Sequence, residues 1–158
     1  MEDFSLAKYL HIDRVVLLDE VSSKKMMFEK LAQTLVYKLD SVQAAHVCSE
    51  LLARERLGST GLGEGAAIPH CRVDDIEEIR CAIIKLNTAV EFDSPDGQPV
   101  SIICGLLVPT EATDEHLKVL ASLAEFLSVP ENRTDICASD SAKEILNIFA
   151  ASFDKHAA

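Results

Sequence analysis

Gly58-Ser-Thr-Gly-Leu-Gly-Glu-Gly-Ala-Ala-Ile-Pro-His-Cys71 crowds four glycines into the eight positions 58–65, then runs through a short apolar segment to a proline and a histidine. Glycine adopts positive φ at little steric cost and lets backbone N–H groups approach a ligand, so such a loop is suited to wrapping an anion with main-chain donors. Ala66-Ala67-Ile68 reads as a short buried strand that Pro69 ends by removing the next ladder donor. His70 is then presented at a strand end beside the donor loop. An imidazole there can take a phosphoryl group on a ring nitrogen, with loop amides and a nearby cation spreading the charge of the group in transfer. A tight surface turn carrying an incidental histidine fits the same spacing, and spacing alone does not separate the two.

Two commoner glycine motifs are excluded by context. Gly61-Leu-Gly63-Glu-Gly-Ala66 matches G-x-G-x-x-A, but a dinucleotide fingerprint needs a strand before it and a helix opening at it. Here a helical pattern precedes and Ile-Pro-His follows. A nucleotide-phosphate loop would end in Gly-Lys-Ser/Thr, and no lysine lies between Lys38 and Lys85.

Working outward, Ser41 is the expected cap of a helix to about Leu57, with Val42, Ala45, Cys48, Leu51 and Leu52 on its core face and Gly58 as its stop. Arg54 therefore sits in a last helical turn that discharges into the glycine loop. It suits a phosphoryl-facing cation, and equally a helix-end cation favoured by the dipole and by Glu50. Upstream, Asp13–Leu18 is a predicted strand, and Ser22-Ser23 caps a predicted helix from Lys24 to about Leu39 with Phe28, Leu31, Ala32, Leu35, Val36 and Leu39 inward. Downstream, Asp74-Asp75 and Glu77-Glu78 form an acidic connection, and Cys81–Leu86 is a strand. Ser94-Pro-Asp-Gly97 is a turn leading to Val100–Val108, a near-continuous apolar run predicted to be a central strand closed by Pro109. Thr113 is the expected cap of a helix with Asp114 and Glu115 in its first turn, Leu117, Leu120, Ala121 and Ala124 inward and His116 at the stripe's edge. Pro130 starts a short helix, and Ser141-Ala-Lys-Glu144 is a capping box for a last helix through about Phe149, before a fraying tail.

The chain of 158 residues, 48% apolar, is expected to form one domain with one sizeable core. Its net charge of −11 argues against nucleic acid and anionic membrane surfaces. Glu2 and Asp3 stand where a secretory signal would be basic, and Ile102–Val108 is too short to span a bilayer, so a soluble cytoplasmic protein is expected. Five scattered cysteines form no C-x-x-C pair and suggest reduced thiols. A zinc site from His70, Cys71 and His116 lacks the spacing of known sites.

Arg54-Glu-Arg-Leu-Gly-Ser-Thr-Gly-Leu-Gly-Glu-Gly-Ala-Ala-Ile-Pro-His70 resembles the active-site signature of the fructose/mannitol-type (type 2) IIA domains of the bacterial phosphoenolpyruvate-dependent phosphotransferase system. The resemblance runs from about Leu6 to about Phe149. Ser22-Ser-Lys-Lys25 and Leu57-Gly-Ser-Thr-Gly61 are most similar to the nitrogen-regulatory branch, while Cys71 departs from the glycine common at that place. Together with the alternating helices and strands, it implies an α/β sandwich, a mixed sheet with helices on both faces, over residues 1–158 with a core of about 6–149. It also implies that His70 accepts a phosphoryl group from a small HPr-like carrier, and that Arg54 neutralises it. Asp114-Glu-His-Leu-Lys118 matches the family's second active-site histidine, so the resemblance implies that His116 stabilises the phosphoryl group, where its sequence context alone fits equally a partly buried helix-end histidine with a satisfied hydrogen bond. Ser59, Thr60 and the amides about Gly61 and Gly63 are expected to donate hydrogen bonds. Glu64 is expected either to orient His70 or Arg54 or to be a solvated carboxylate. No cofactor or metal is needed. His11, His46 and His156 lack such context. Open alternatives are a sugar-transport component passing phosphoryl to a membrane IIB domain, and an interaction module that is not phosphorylated.

Overall fold

The computed structural model describes residues 6–112 and 114–157, with side chains for all of these except 7 and 152–157. Two short 3-10 turns, Leu6–Tyr9 and Ile12–Arg14, lead into β1 (Val15–Leu18). α1 (Lys24–Leu35) is capped by Ser23, whose Oγ accepts the Met26 N–H at 3.1 Å. It stops short of the expected Leu39. Arg80 explains the stop: its guanidinium takes the carbonyls of Leu35 at 2.8 Å and Tyr37 at 2.6 Å, and Lys38 turns the chain at φ 59°. α2 (Ala44–Leu57) starts later than Ser41, with Gln43 at its N-cap making no side-chain bond. Val47 and Leu51 are its buried residues, whereas Ala45 is exposed. Gly58 follows in extended backbone, so the helix ends beside it without a left-handed stop.

β2 (Gly61–Gly63), β3 (Ala66–Ala67), β4 (His70–Val73), β5 (Arg80–Val90) and β6 (Val100–Pro109) complete the strands. The expected turn at Ser94 is closed by Gly97 N–H to the Ser94 carbonyl at 2.9 Å, with Gly97 at φ 73°. The six-stranded sheet runs β1-β5-β6-β3-β2, with β4 also on β6. It is mixed: β5 is antiparallel to β6, β3 and β4 are parallel to β6, and β1 is parallel to β5. β6 is thus the central strand that the apolar run implied, with Pro109 as its last paired residue.

α3 (Asp114–Ser128), α4 (Pro130–Ala138) and α5 (Ala142–Ala157) follow. Thr113 lies outside the described residues. Ser141 Oγ accepts the Glu144 N–H at 3.2 Å, and the Glu144 carboxylate returns to the Asp140 N–H at 3.1 Å. α5 continues past Phe149 to Ala157, where a frayed tail was expected.

Side-chain alternation on the strands divides the core in two. One face carries Ile83, Ile102, Cys104 and Leu106 against Val119, Leu123, Phe126, Ile145 and Phe149 of α3 and α5. The other carries Ala82, Ile84, Ile103 and Leu107 against Phe28, Leu31, Val47 and Leu51 of α1 and α2. Each fully buried isoleucine contributes about 1.5–3 kcal/mol. The inward stripe of α3 is His116, Val119, Leu123, Phe126 and Leu127, one position out of phase with the expected one, and Leu117 is exposed. Leucine and alanine occur on both sides of this helix, so only docking onto the sheet chooses the buried side.

Candidate functional site

His70 stands where the edge of the sheet breaks at Pro69 between β3 and β4. Both strands lie parallel on β6, and the Leu106 N–H donates to the Pro69 carbonyl at 2.9 Å, so the break is held by the central strand. His70 is half-buried and its Nδ1 lies 2.9 Å from the Ile68 carbonyl. A carbonyl oxygen only accepts, so Nδ1 carries the proton and Nε2 keeps the lone pair. Burial lowers the His70 pKa below the ordinary imidazole value. The Ile68 carbonyl opposes this, Arg54 and the neighbouring His116 push the same way as burial, and Glu55 opposes. The ring is thus a neutral nucleophile among groups of both signs.

The glycine stretch is not the amide-lined cradle that its composition suggests. It is a tight hairpin, β2 against β3, turned by Glu64 at φ 57° and Gly65 at φ 82°. Three of its amides, those of Thr60, Gly61 and Glu64, are already spent on side chains. The Thr60 N–H and hydroxyl both go to Glu55, at 3.1 and 2.6 Å. The Gly61 N–H goes to Ser59 Oγ at 3.1 Å, and the Glu64 N–H to Asp96 at 2.8 Å. The reason is that amides near a protein interior must be paired, and these carboxylates arrive from elsewhere in the fold. Gly63 is buried at φ 87°, with the Asp96 carboxylate 3.1 Å from where a Cβ would stand. Of the five loop residues, Ser59 retains a hydroxyl hydrogen to donate. Glu64 is exposed, its carboxylate 4.0 Å from Arg133 on α4, which leaves the solvated alternative for it.

Arg54, half-buried in the last turn of α2, donates from Nη1 to the Gly58 carbonyl at 2.8 Å, and its charge reaches His70. Glu55, which sequence reading passed over, has its side chain only 7% exposed and holds Lys24 Nζ at 3.0 Å besides Thr60. Lys24 lies over the Phe92 ring at 4.4 Å. This set ties the start of α1, the end of α2 and the hairpin together.

His116 is buried on α3, across the sheet from α1 and α2 and near enough to act on His70. Its Nδ1 lies 2.9 Å from the Ala112 carbonyl, so that nitrogen bears the proton and Nε2 is an acceptor. That acceptor is met by Nη2 of Arg72 at 3.2 Å, while Nη1 of Arg72 donates to the Thr110 carbonyl at 3.2 Å. Arg72 was also missed, although its signal is present: it lies two residues after His70 on a strand, hence on the same face. Cys71 faces the other way, its Sγ 3.9 Å from the Val47 carbonyl, and burial raises the thiol to about 12. It does not join His70 and His116. Beyond Arg72 the surface is an acidic hollow lined by Asp74, Asp75, Glu77, Glu111 and Glu115. His11 accepts the Asp13 N–H at 3.1 Å, His46 is exposed on α2, and the side chain of His156 lies outside the described residues.

A half-buried neutral imidazole with a free Nε2, within reach of Arg54 and of His116, is chemically suited to holding an anionic group on nitrogen. No helix among the described residues is long and apolar enough to cross a membrane. The chain matches the family model described as phosphoenolpyruvate-dependent sugar phosphotransferase system, EIIA 2, over residues 8–152. It is 38% identical over 126 residues to a nitrogen regulatory protein of Pseudomonas aeruginosa, covering 80% of this chain and 82% of that one. The crystal structure of nitrogen regulatory protein IIA-Ntr from Neisseria meningitidis superposes with a TM-score of 0.86 at 43% identity, covering 91% of this chain and 98% of that one. IIA mannitol from Escherichia coli shares the fold, with a TM-score of 0.75 at 23% identity over 89% of this chain and 99% of that one. With a matched signature, a shared architecture and this extent of identity, the chain belongs to the phosphoenolpyruvate-dependent sugar phosphotransferase system EIIA 2 family, with nitrogen-regulatory proteins among its relatives.

Proposed function

We propose that the protein is a cytoplasmic phosphocarrier that accepts a phosphoryl group on Nε2 of His70 from the phosphohistidine of a small HPr-like protein. The observation that carries this reading is the Nδ1 contact with Ile68, which leaves Nε2 as the unprotonated nitrogen. The lone pair of His70 Nε2 forms the new P–N bond as the donor's P–N bond breaks, and the donor imidazole keeps the electron pair of the broken bond. No nucleotide or metal in this chain is required for that exchange. Arg54 spreads the charge of the phosphoryl oxygens, Ser59 donates from the hairpin side, and His116 supports the site from α3 through the arginine that it holds. The output is regulatory: the phosphorylation state of His70 is read by other proteins. Support comes from relatives with 38% and 43% identity that carry the nitrogen-regulatory name.

The test is incubation with the general phosphotransferase proteins and phosphoenolpyruvate, followed by intact and fragment mass analysis. One acid-labile, base-stable phosphoryl adduct on His70 is expected, lost in His70→Ala with the fold retained. Full labelling of His70→Ala would remove His70 as the acceptor.

A further inference from the structure

We infer that Arg72 is a phosphoryl-binding residue of this site, with His116 as the positioning residue that aims it; this rests on the reading of His70 as acceptor. With Nδ1–H committed to Ala112, His116 presents a lone pair at Nε2 and has no hydrogen there to offer an anion. A bare lone pair facing a phosphoryl dianion is repulsive. What the lone pair does is hold Nη2 of Arg72, while the Thr110 carbonyl holds Nη1. The guanidinium is thereby fixed by its two ends, and these two contacts use two of its five N–H donors.

Arg72 and His70 share one face of β4, with Cα atoms roughly 6.6 Å apart by strand geometry. The intervening Cys71 and the following Val73 pack on the opposite face against α1 and α2. The phosphoryl group on His70 Nε2 therefore arrives on the face where Arg72 is held. Its oxygens suit the planar fork of a guanidinium, whose remaining N–H donors meet them while Nη2 stays on His116. Arg54 approaches from the end of α2 and Arg72 from the sheet and α3, so the group is gripped by two cations from two sides. During transfer Arg72 remains protonated and the proton of His70 stays on Nδ1, hydrogen-bonded to the Ile68 carbonyl. The change is the exchange of one P–N bond for another.

The experiment compares wild type, Arg72→Gln, Arg72→Lys, His116→Ala and the double variant Arg72→Gln/His116→Ala. Each is first shown to be folded by circular dichroism, and phosphoryl transfer from the phosphorylated HPr-like donor is then followed by rapid quench over a range of donor concentration. Arg72→Gln should lower the rate at saturating donor on the order of 10- to 100-fold, the loss of one charged hydrogen bond in the transition state. Arg72→Lys should recover only part of it. His116→Ala should slow transfer as well, and the double variant should be little slower than Arg72→Gln, because the two residues act as one unit. A saturating rate unchanged in Arg72→Gln, or a change confined to the donor concentration at half-rate, would overturn the inference and make Arg72 a docking residue. Multiplicative effects in the double variant would overturn the His116 part. Absence of a His70 adduct in wild type would instead defeat the reading beneath both.

Discussion

Glu55→Ala removes a buried carboxylate that holds the Thr60 hydroxyl at 2.6 Å, the Thr60 N–H at 3.1 Å and Lys24 Nζ at 3.0 Å. Thr60 is itself buried, so its N–H and hydroxyl lose their partner, at about 1–3 kcal/mol each. The Lys24 side chain is 24% exposed and keeps the Phe92 ring, so its share is smaller than that of a fully buried ammonium. Together these give about 3–5 kcal/mol, the usual cost of breaking a buried pair and a large part of a small domain's stability. Glu55→Gln should cost less, about 1–2 kcal/mol, because the amide keeps an oxygen for Thr60 while losing the charge that Lys24 meets. Urea unfolding at pH 7 with unchanged m-values measures both. A second readout is the His70 titration by NMR. Glu55 favours the protonated ring, so the His70 pKa should fall further in Glu55→Gln. A cost below about 1 kcal/mol for Glu55→Ala would refute the assignment of Glu55 as the anchor of the hairpin.

Acceptance of the phosphoryl group should show its acid limb below about pH 6.5, because burial depresses the His70 pKa and keeps the ring neutral to lower pH; a limb above that value would contradict the burial argument. The same depression means that unfolded His70 binds protons more readily than folded His70. Its stability contribution is complete above about pH 6.5 and lost as pH falls through the folded value, and His70→Gln should remove that part of the acid sensitivity in denaturant melts. Gly105→Ala should destabilise by about 1–3 kcal/mol through overpacking, since the new Cβ would stand 2.5, 2.7 and 2.9 Å from Cδ1, Cδ2 and Cγ of fully buried Leu31. Adding Leu31→Val should recover part of the loss, and strictly additive costs in the double variant would show that the two do not touch.

Arg54 at the end of a helix, a glycine-rich turn and His70 after a proline are all consecutive in the chain, so local propensity and spacing were enough to put them together. The apolar run Val100–Val108 likewise announced a strand buried on both faces, because no polar residue stood at either parity except Ser101. Local signals also located the Ser23 cap, the Ser94 turn and the Ser141 box. They failed where a partner came from far along the chain. α1 ends early because Arg80, 45 positions away from Leu35, takes its last carbonyls. The amides of Thr60 and Glu64 are unavailable because Glu55 and Asp96 reach them, the latter 32 positions from Glu64. α3 buries His116 and not Leu117 because the sheet selects the side of the helix, and two apolar phases coexist in its sequence. Arg72 meets His116 across 44 positions. Hydrophobic periodicity and turn chemistry are local properties that a sequence displays directly, whereas the tautomer of a histidine and the occupancy of a loop's donors depend on which distant oxygens and cations packing brings to them, and only the tertiary structure decided those.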